Sequence, residues 1–167
     1  SHAATCINAG TLTLGTPASF IDCNFGIFTL NKPGKIETLI NGNTQFSHLW
    51  GDGVITNTSS SGGPHQLRIL TGPSEFSGQI DGNIRYYSCG AVALTGTNST
   101  FGGNFAIHSS GGPGITGVKK IGMNGQPSSI GKGGGIDIRE FGGTFLYLGS
   151  GETTDKTVDL AGTTGNA

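Results

Sequence analysis

The sequence predicts an all-β solenoid, and three observations carry that reading. First, Leu67-Arg68-Ile69-Leu70-Thr71-Gly72, followed by Ser74-Glu75-Phe76-Ser77-Gly78, returns as Val92-Ala93-Leu94-Thr95-Gly96, followed by Ser99-Thr100-Phe101-Gly102-Gly103. The offset is 24 from Gly72 to Gly96 and 25 from Phe76 to Phe101, and a period of that size marks stacked repeats. Second, the runs inside the period carry apolar residues two apart and stop at Gly or Ser, so each presents one face inward and then turns sharply. Third, glycine interrupts almost every window long enough to hold a helical period.

The candidate strands follow in chain order. Thr11–Leu14, Phe25–Leu30, Ile36–Ile40 and Val54–Asn57 open the chain, and Leu67–Leu70, Phe76–Ile80, Ala91–Thr95 and Thr100–Ile107 form its middle. Gly135–Ile138, Thr144–Leu148 and Lys156–Leu160 close it. Two stretches rich in Gly, Pro and Ser interrupt the pattern, at 58–65 and 109–135, and read as loop excursions. In the second, Ile115, Val118, Ile121 and Ile130 are the residues left to bury. The whole of 1–167 is one solenoid segment of about seven irregular rungs with no helical cap, roughly 34 Å long at the usual strand spacing. The expected inward set is Leu12, Leu14, Ile27, Leu39, Ile55, Leu67, Ile69, Phe76, Val92, Leu94, Phe101, Phe105, Phe145 and Leu148.

Composition narrows the function classes. With 32 glycines in 167 residues and only 11% charged, the chain is a turn-rich β protein, and the β-forming runs argue against disorder. A net charge of −1, without a basic stripe interleaved with aromatics, excludes a nucleic-acid partner. No apolar stretch approaches the length of a membrane span. The start at Ser1-His2 without Met suggests a processed chain or a piece of a larger one. Neither end reads as a cap, so more copies of the chain, or adjoining rungs, are the expected neighbours.

Cys6, Cys23 and Cys89 fit no zinc spacing, and neither a metal nor another cofactor is expected. In an oxidising compartment Cys6 and Cys23, closest in sequence, are the disulfide candidates; three unbonded cysteines are the alternative.

The run Cys89-Gly90-Ala91-Val92-Ala93-Leu94-Thr95-Gly96-Thr97-Asn98-Ser99-Thr100-Phe101-Gly102-Gly103-Asn104 resembles the autotransporter-associated β-strand repeat. Ala9–Gly15, Gly143–Gly149 and Leu49–Asn57 are similar to its flanking pattern, so the resemblance covers about half the chain, discontinuously. It implies a right-handed parallel β-helix in a large secreted or surface-displayed bacterial protein, of the scaffold or adhesin type. Cysteine at Cys89, after Ile84-Arg85-Tyr86-Tyr87-Ser88, departs from the family pattern.

Three sets of residues are tested for chemistry. A β-helix lyase or hydrolase acting on glycans needs two nearby carboxylates, one to protonate the leaving oxygen and one to activate water or attack. The Asp residues here are scattered singly, and Asp137, Arg139 and His108 are the best remaining candidates. Alternation places Asp137 and Arg139 on one face with Ile138 inward, which also suits a surface ion pair. Trp50, with His48 and Asp52 beside it, and Tyr86-Tyr87 are candidates for stacking on a surface glycan, if the rings share an exposed face. The Gly131-Lys132-Gly133-Gly134-Gly135 stretch lacks the ending and the following helix of a phosphate loop.

Overall fold

The computed structural model describes residues 4–15, 21–39, 41–59, 62–108, 114–138 and 143–160, with the backbone alone at 21–23. Among them lie sixteen strands and no helix. In chain order they are β1 (Ala4–Ile7), β2 (Thr11–Leu14), β3 (Ile21–Leu30), β4 (Lys35–Thr38), β5 (Gly42–Gly51), β6 (Val54–Asn57), β7 (His65–Ile69) and β8 (Ser74–Phe76). There follow β9 (Gln79–Gly82), β10 (Ile84–Ser88), β11 (Ala91–Leu94), β12 (Phe105–Ile107), β13 (Ile115–Val118), β14 (Gly135–Ile138), β15 (Thr144–Tyr147) and β16 (Thr157–Leu160).

Every ladder between these strands is parallel, and the strands stack as the three faces of a β-solenoid of about six turns. The first face runs from the start of β3 and β5 through β7, β10, β12, β14 and β16. The second runs through β1, the ends of β3 and β5, then β8, β11, β13 and β15. The third is β2, β4, β6 and β9, continued without a ladder where the Thr100 amide reaches Ile80 O and the Lys132 amide reaches Phe101 O. The two longest strands, β3 and β5, pass round the first corner, where pairing skips Gly26 and Ser47.

Each face alternates. In β7, His65, Leu67 and Ile69 are buried while Gln66 and Arg68 face out. In β10, Ile84, Tyr86 and Ser88 are buried while Arg85 and Tyr87 face out. Stacking then forms continuous inward columns: Leu67, Tyr86, Phe105 and Ile136 on the first face, and Phe76, Leu94 and Val118 on the second. Tyr86 lies flat on Phe105, with ring centroids 5.3 Å apart, and Phe25, Phe28 and Phe46 form an aromatic cluster at 5.2–5.4 Å. Each fully buried large side chain contributes about 1.5–3 kcal/mol. Glycine is required at corners such as Gly51, which has φ +107° and where a Cβ would overlap the Leu30 carbonyl, and Gly90, where a Cβ would overlap that of Thr71.

The sequence echo is real but is not the stacking register. Leu67 stacks on Tyr86 of the following turn, whereas its counterpart at the offset of 24, Ala91, lies on the next face, stacked on Ile115. Likewise Phe76 stacks on Leu94, while Phe101 belongs to the third face. All three faces require the same apolar-any-apolar run with a small residue at the turn, so similar segments recur one face apart. The turns are also unequal: the one that carries Ser74 to Val92 is far shorter than the one that carries Phe105 to Ile136.

Of the expected inward residues, Ile55, Leu67, Ile69, Phe76, Val92, Leu94, Phe101 and Phe105 are buried, and Leu12, Leu14 and Phe145 pack partly buried against them. Leu39 is half-buried. Two are corrected. Ile27 is 40% exposed because the Gly26 corner reverses the alternation and turns Phe28 and Leu30 inward. Leu148 is 51% exposed and lies against Gly117, whose missing side chain leaves it room.

The second expected excursion contains strand β13, and the described residues that follow this strand are tied down by side chains. Ile130 is buried, and Ser129 Oγ accepts the Lys120 amide. The Lys156 ammonium, itself buried, donates to the carbonyls of Gly131 and Gly133. Glu152 from the next turn accepts the amides of Ile121 at 2.6 Å and Gly122 at 2.9 Å. Desolvation pushes the Glu152 pKa up, but these amides, the Tyr147 hydroxyl and the Lys120 charge outweigh it and hold it below the ordinary glutamate value.

The packing can be tested at two places. Leu94, 2% exposed between Phe76 and Val118, is expected to lose about 2–5 kcal/mol on Leu94→Ala in denaturant unfolding. Leu94→Asp should leave no soluble folded protein; a normally melting Asp variant would mean the second face is in a different register. Because the folded-state pKa of Glu152 is lowered, its stabilisation is complete above the ordinary glutamate range and is lost as pH falls through that lowered value. The melting-temperature gap between wild type and Glu152→Gln should therefore close as pH falls below the ordinary glutamate range and through that lowered value; a gap independent of pH would show that the carboxylate charge plays no part.

Candidate functional site

Alternation sends every apolar column inward, so whatever the solenoid contacts must be met by its outward rows. On the first face, register sets Gln66 beside Arg85 and Arg68 beside Tyr87, with Asn43 and Gln45 of β5 next in the same two rows. Arg68 Nη2 donates to Gln66 Oε1 at 2.8 Å. The guanidinium carbons of Arg68 and Arg85 stand 5.3 Å and 4.9 Å from the Tyr87 ring centroid, within cation–π range. The Nε donors of both arginines are covered and have no acceptor among the described residues. Among the described residues the two make no ion pair; Lys35 with Glu37, on the third face, is the pair found there. Asp137 faces outward two strands from Tyr87, and its carboxylate accepts the Asn104 amide at 3.1 Å.

The expected glycan-stacking rings do not share a face. Tyr86 is corrected outright: it is fully buried against Phe105, and burial raises the pKa of its phenol, which stays neutral inside the core. Trp50 is 36% exposed on the second face, between Thr29 and Glu75, while Tyr87 is half-buried on the first. The neighbours of Trp50 serve turns: His48 Nδ1 is 3.1 Å from Pro73 O, and Asp52 accepts the Lys32 amide at 2.9 Å. Asp137 lies between the inward Ile136 and Ile138, as alternation predicts, while Arg139 falls outside the described residues. Cys6 is exposed and free, 3.3 Å from Asn8 Oδ1; the side chain of Cys23 is outside the described residues, and Cys89 is free and buried.

Sequence reasoning missed Arg68 and Arg85. The signal was present in Gln66-x-Arg68 and Arg85-x-Tyr87, but only the register of β7 on β10 brings the two pairs side by side. A concavity of about 300 Å³, lined in part by Lys119, Lys120, Tyr147 and Glu152, is open to solvent. The Glu152 carboxylate there is already occupied by two backbone amides. Among the described residues no three His, Cys, Asp or Glu side chains converge as metal ligands, and no helix is long and apolar enough to cross a membrane.

No family model and no solved structure matches the chain. It is similar to a curated protein, Adhesin BmaC autotransporter of Brucella suis biovar 1 (strain 1330), with 29% identity over 170 residues. That alignment covers 98% of this chain and 5% of the relative. A parallel β-solenoid with this likeness along nearly its whole length is consistent with an autotransporter passenger repeat.

Proposed function

We propose that the chain is a non-catalytic segment of a secreted or surface-displayed protein of the adhesin type, a stiff spacer whose outward rows make the contacts. The observation that carries this reading is the likeness of nearly the whole chain to an autotransporter adhesin. The fold supports it. Stacked parallel turns project a surface over distance while using the apolar residues for the core. Of the candidates for glycan cleavage, Asp137 is engaged by Asn104, and Arg139 falls outside the described residues.

The segment's neighbours in this reading are more turns of the same kind, from a longer chain or from other copies. Val158 and Leu160 continue the columns of Ile136 and Ile138, yet they are 53% and 69% exposed. Columns left open in this way are completed by another parallel strand.

Beads coated with the purified chain are expected to be retained on cell surfaces above uncoated beads. Overnight incubation with acidic and neutral polysaccharides is expected to release no new reducing or unsaturated ends. Release of such ends would replace this reading with the lyase or hydrolase one, and retention equal to bare beads would remove its adhesive part.

A further inference from the structure

We infer that Arg68, Tyr87 and Arg85, with Gln66 between the arginines, form a binding site for a carboxylate-bearing polysaccharide lying across the turns of the first face. The inference rests on the reading that the outward rows make the contacts, and it names one of those contacts. Its first support is electrostatic. Two guanidinium groups share one aromatic ring, at 5.3 Å and 4.9 Å, with no carboxylate in ion-pair range among the described residues. The two positive charges on this face are left without a neutralising carboxylate, and the ring quadrupole compensates them only in part. An anion that meets their free donors neutralises the charge and gains charge-assisted, fork-shaped hydrogen bonds. The Gln66 carbonyl already holds one edge of the Arg68 fork, at 2.8 Å, so that guanidinium is oriented before any ligand arrives.

The second support is the shape of the face. The rows Gln45, Arg68, Tyr87 and Asn43, Gln66, Arg85 run along the solenoid axis at one strand spacing, about 4.8 Å per step. A linear polymer lying along the axis therefore meets amide groups suited to hydroxyls beside guanidiniums suited to carboxylates. A polypeptide partner is disfavoured. Both β7 and β10 are paired on each side, so neither offers an edge for an added strand. The carboxylates of Asp137 and Asp159, two and three strands beyond Tyr87, bound the site at the other end.

The test is calorimetric titration of the chain with polygalacturonate oligomers, with dextran as the neutral polymer and polyglutamate as the acidic polypeptide. Wild type should bind polygalacturonate, more weakly as salt rises, and should ignore dextran. Arg68→Gln and Arg85→Gln should each weaken binding about tenfold, the scale of one charge-assisted contact. Arg68→Lys should weaken it less, because charge remains while the fork is lost, and Lys119→Gln on the second face should leave it unchanged. Each Arg→Gln variant should melt no lower than wild type, since it removes a charge left without a neutralising carboxylate; a purely structural arginine would instead lose stability. If a Gln variant does not fold, Arg68→Lys with Arg85→Lys carries the test.

No binding by wild type, or equal binding by the double Gln variant, would overturn the inference. Polyglutamate binding as tightly with the same arginine dependence would assign the site to an acidic polypeptide and overturn it as well. Loss of the polygalacturonate result with bead retention intact would remove this site alone and leave the adhesive reading standing.

Discussion

The structure depends on one constraint: every apolar column is buried only if the next turn places an apolar or satisfied side chain at the same register. No turn can hide its own inward residues, so stability is shared between neighbours rather than held within an element. The column of Leu67, Tyr86, Phe105 and Ile136 shows this, since each member is covered above and below by the other turns. Val158, next in that column, is 53% exposed with the same kind of side chain in the same kind of strand. Position in the stack, and not residue type, decides burial.

That sharing explains how much was legible in the sequence. The all-β class, the solenoid and the closing strands β14, β15 and β16 could be read because alternation and glycine punctuation are local signals. Strands β1, β5, β10 and β13 could not, although β5 is among the longest. Its Gly42-Asn43-Thr44-Gln45-Phe46 half buries a glycine, a threonine and one phenylalanine, so its apolar signal is weak while its ladder is complete. Phe101 reads as part of a strand in the sequence; it is fully buried but outside any ladder. Such cases depend on partners a whole turn away, which no local pattern reports.

The outward rows are free of the stacking constraint, and this separates fold from candidate function. Replacing an outward residue changes no column, so its chemistry is open to serve contact. Trp50 and Tyr86-Tyr87 stand out because aromatic rings are conspicuous in a sequence, and alternation divides them between core and surface. Arg68 and Arg85 are inconspicuous, a turn apart along the chain, and become neighbours of one ring only through the pairing of β7 with β10. Sites on a solenoid are written across turns, so they become readable only once the register is known.

What sets that register is the least hydrophobic part of the interior. An apolar column tolerates a slip of two residues along a strand, because leucine over isoleucine packs as well as leucine over leucine. Polar inward residues do not tolerate it. Asn57 donates to Thr38 Oγ1 at 2.8 Å and His65 Nε2 lies 2.9 Å from Thr44 Oγ1, each across adjacent turns. Displaced by two residues, Asn57 would face Ile36 and lose its partner, at a cost of about 1–3 kcal/mol. The corners act in the same sense, since only glycine fits where Gly51 passes the Leu30 carbonyl and Gly90 that of Thr71. The apolar columns thus drive the turns together without choosing among alignments. The few buried polar pairs and corner glycines choose one, and that choice brings Arg68 and Arg85 to the same ring.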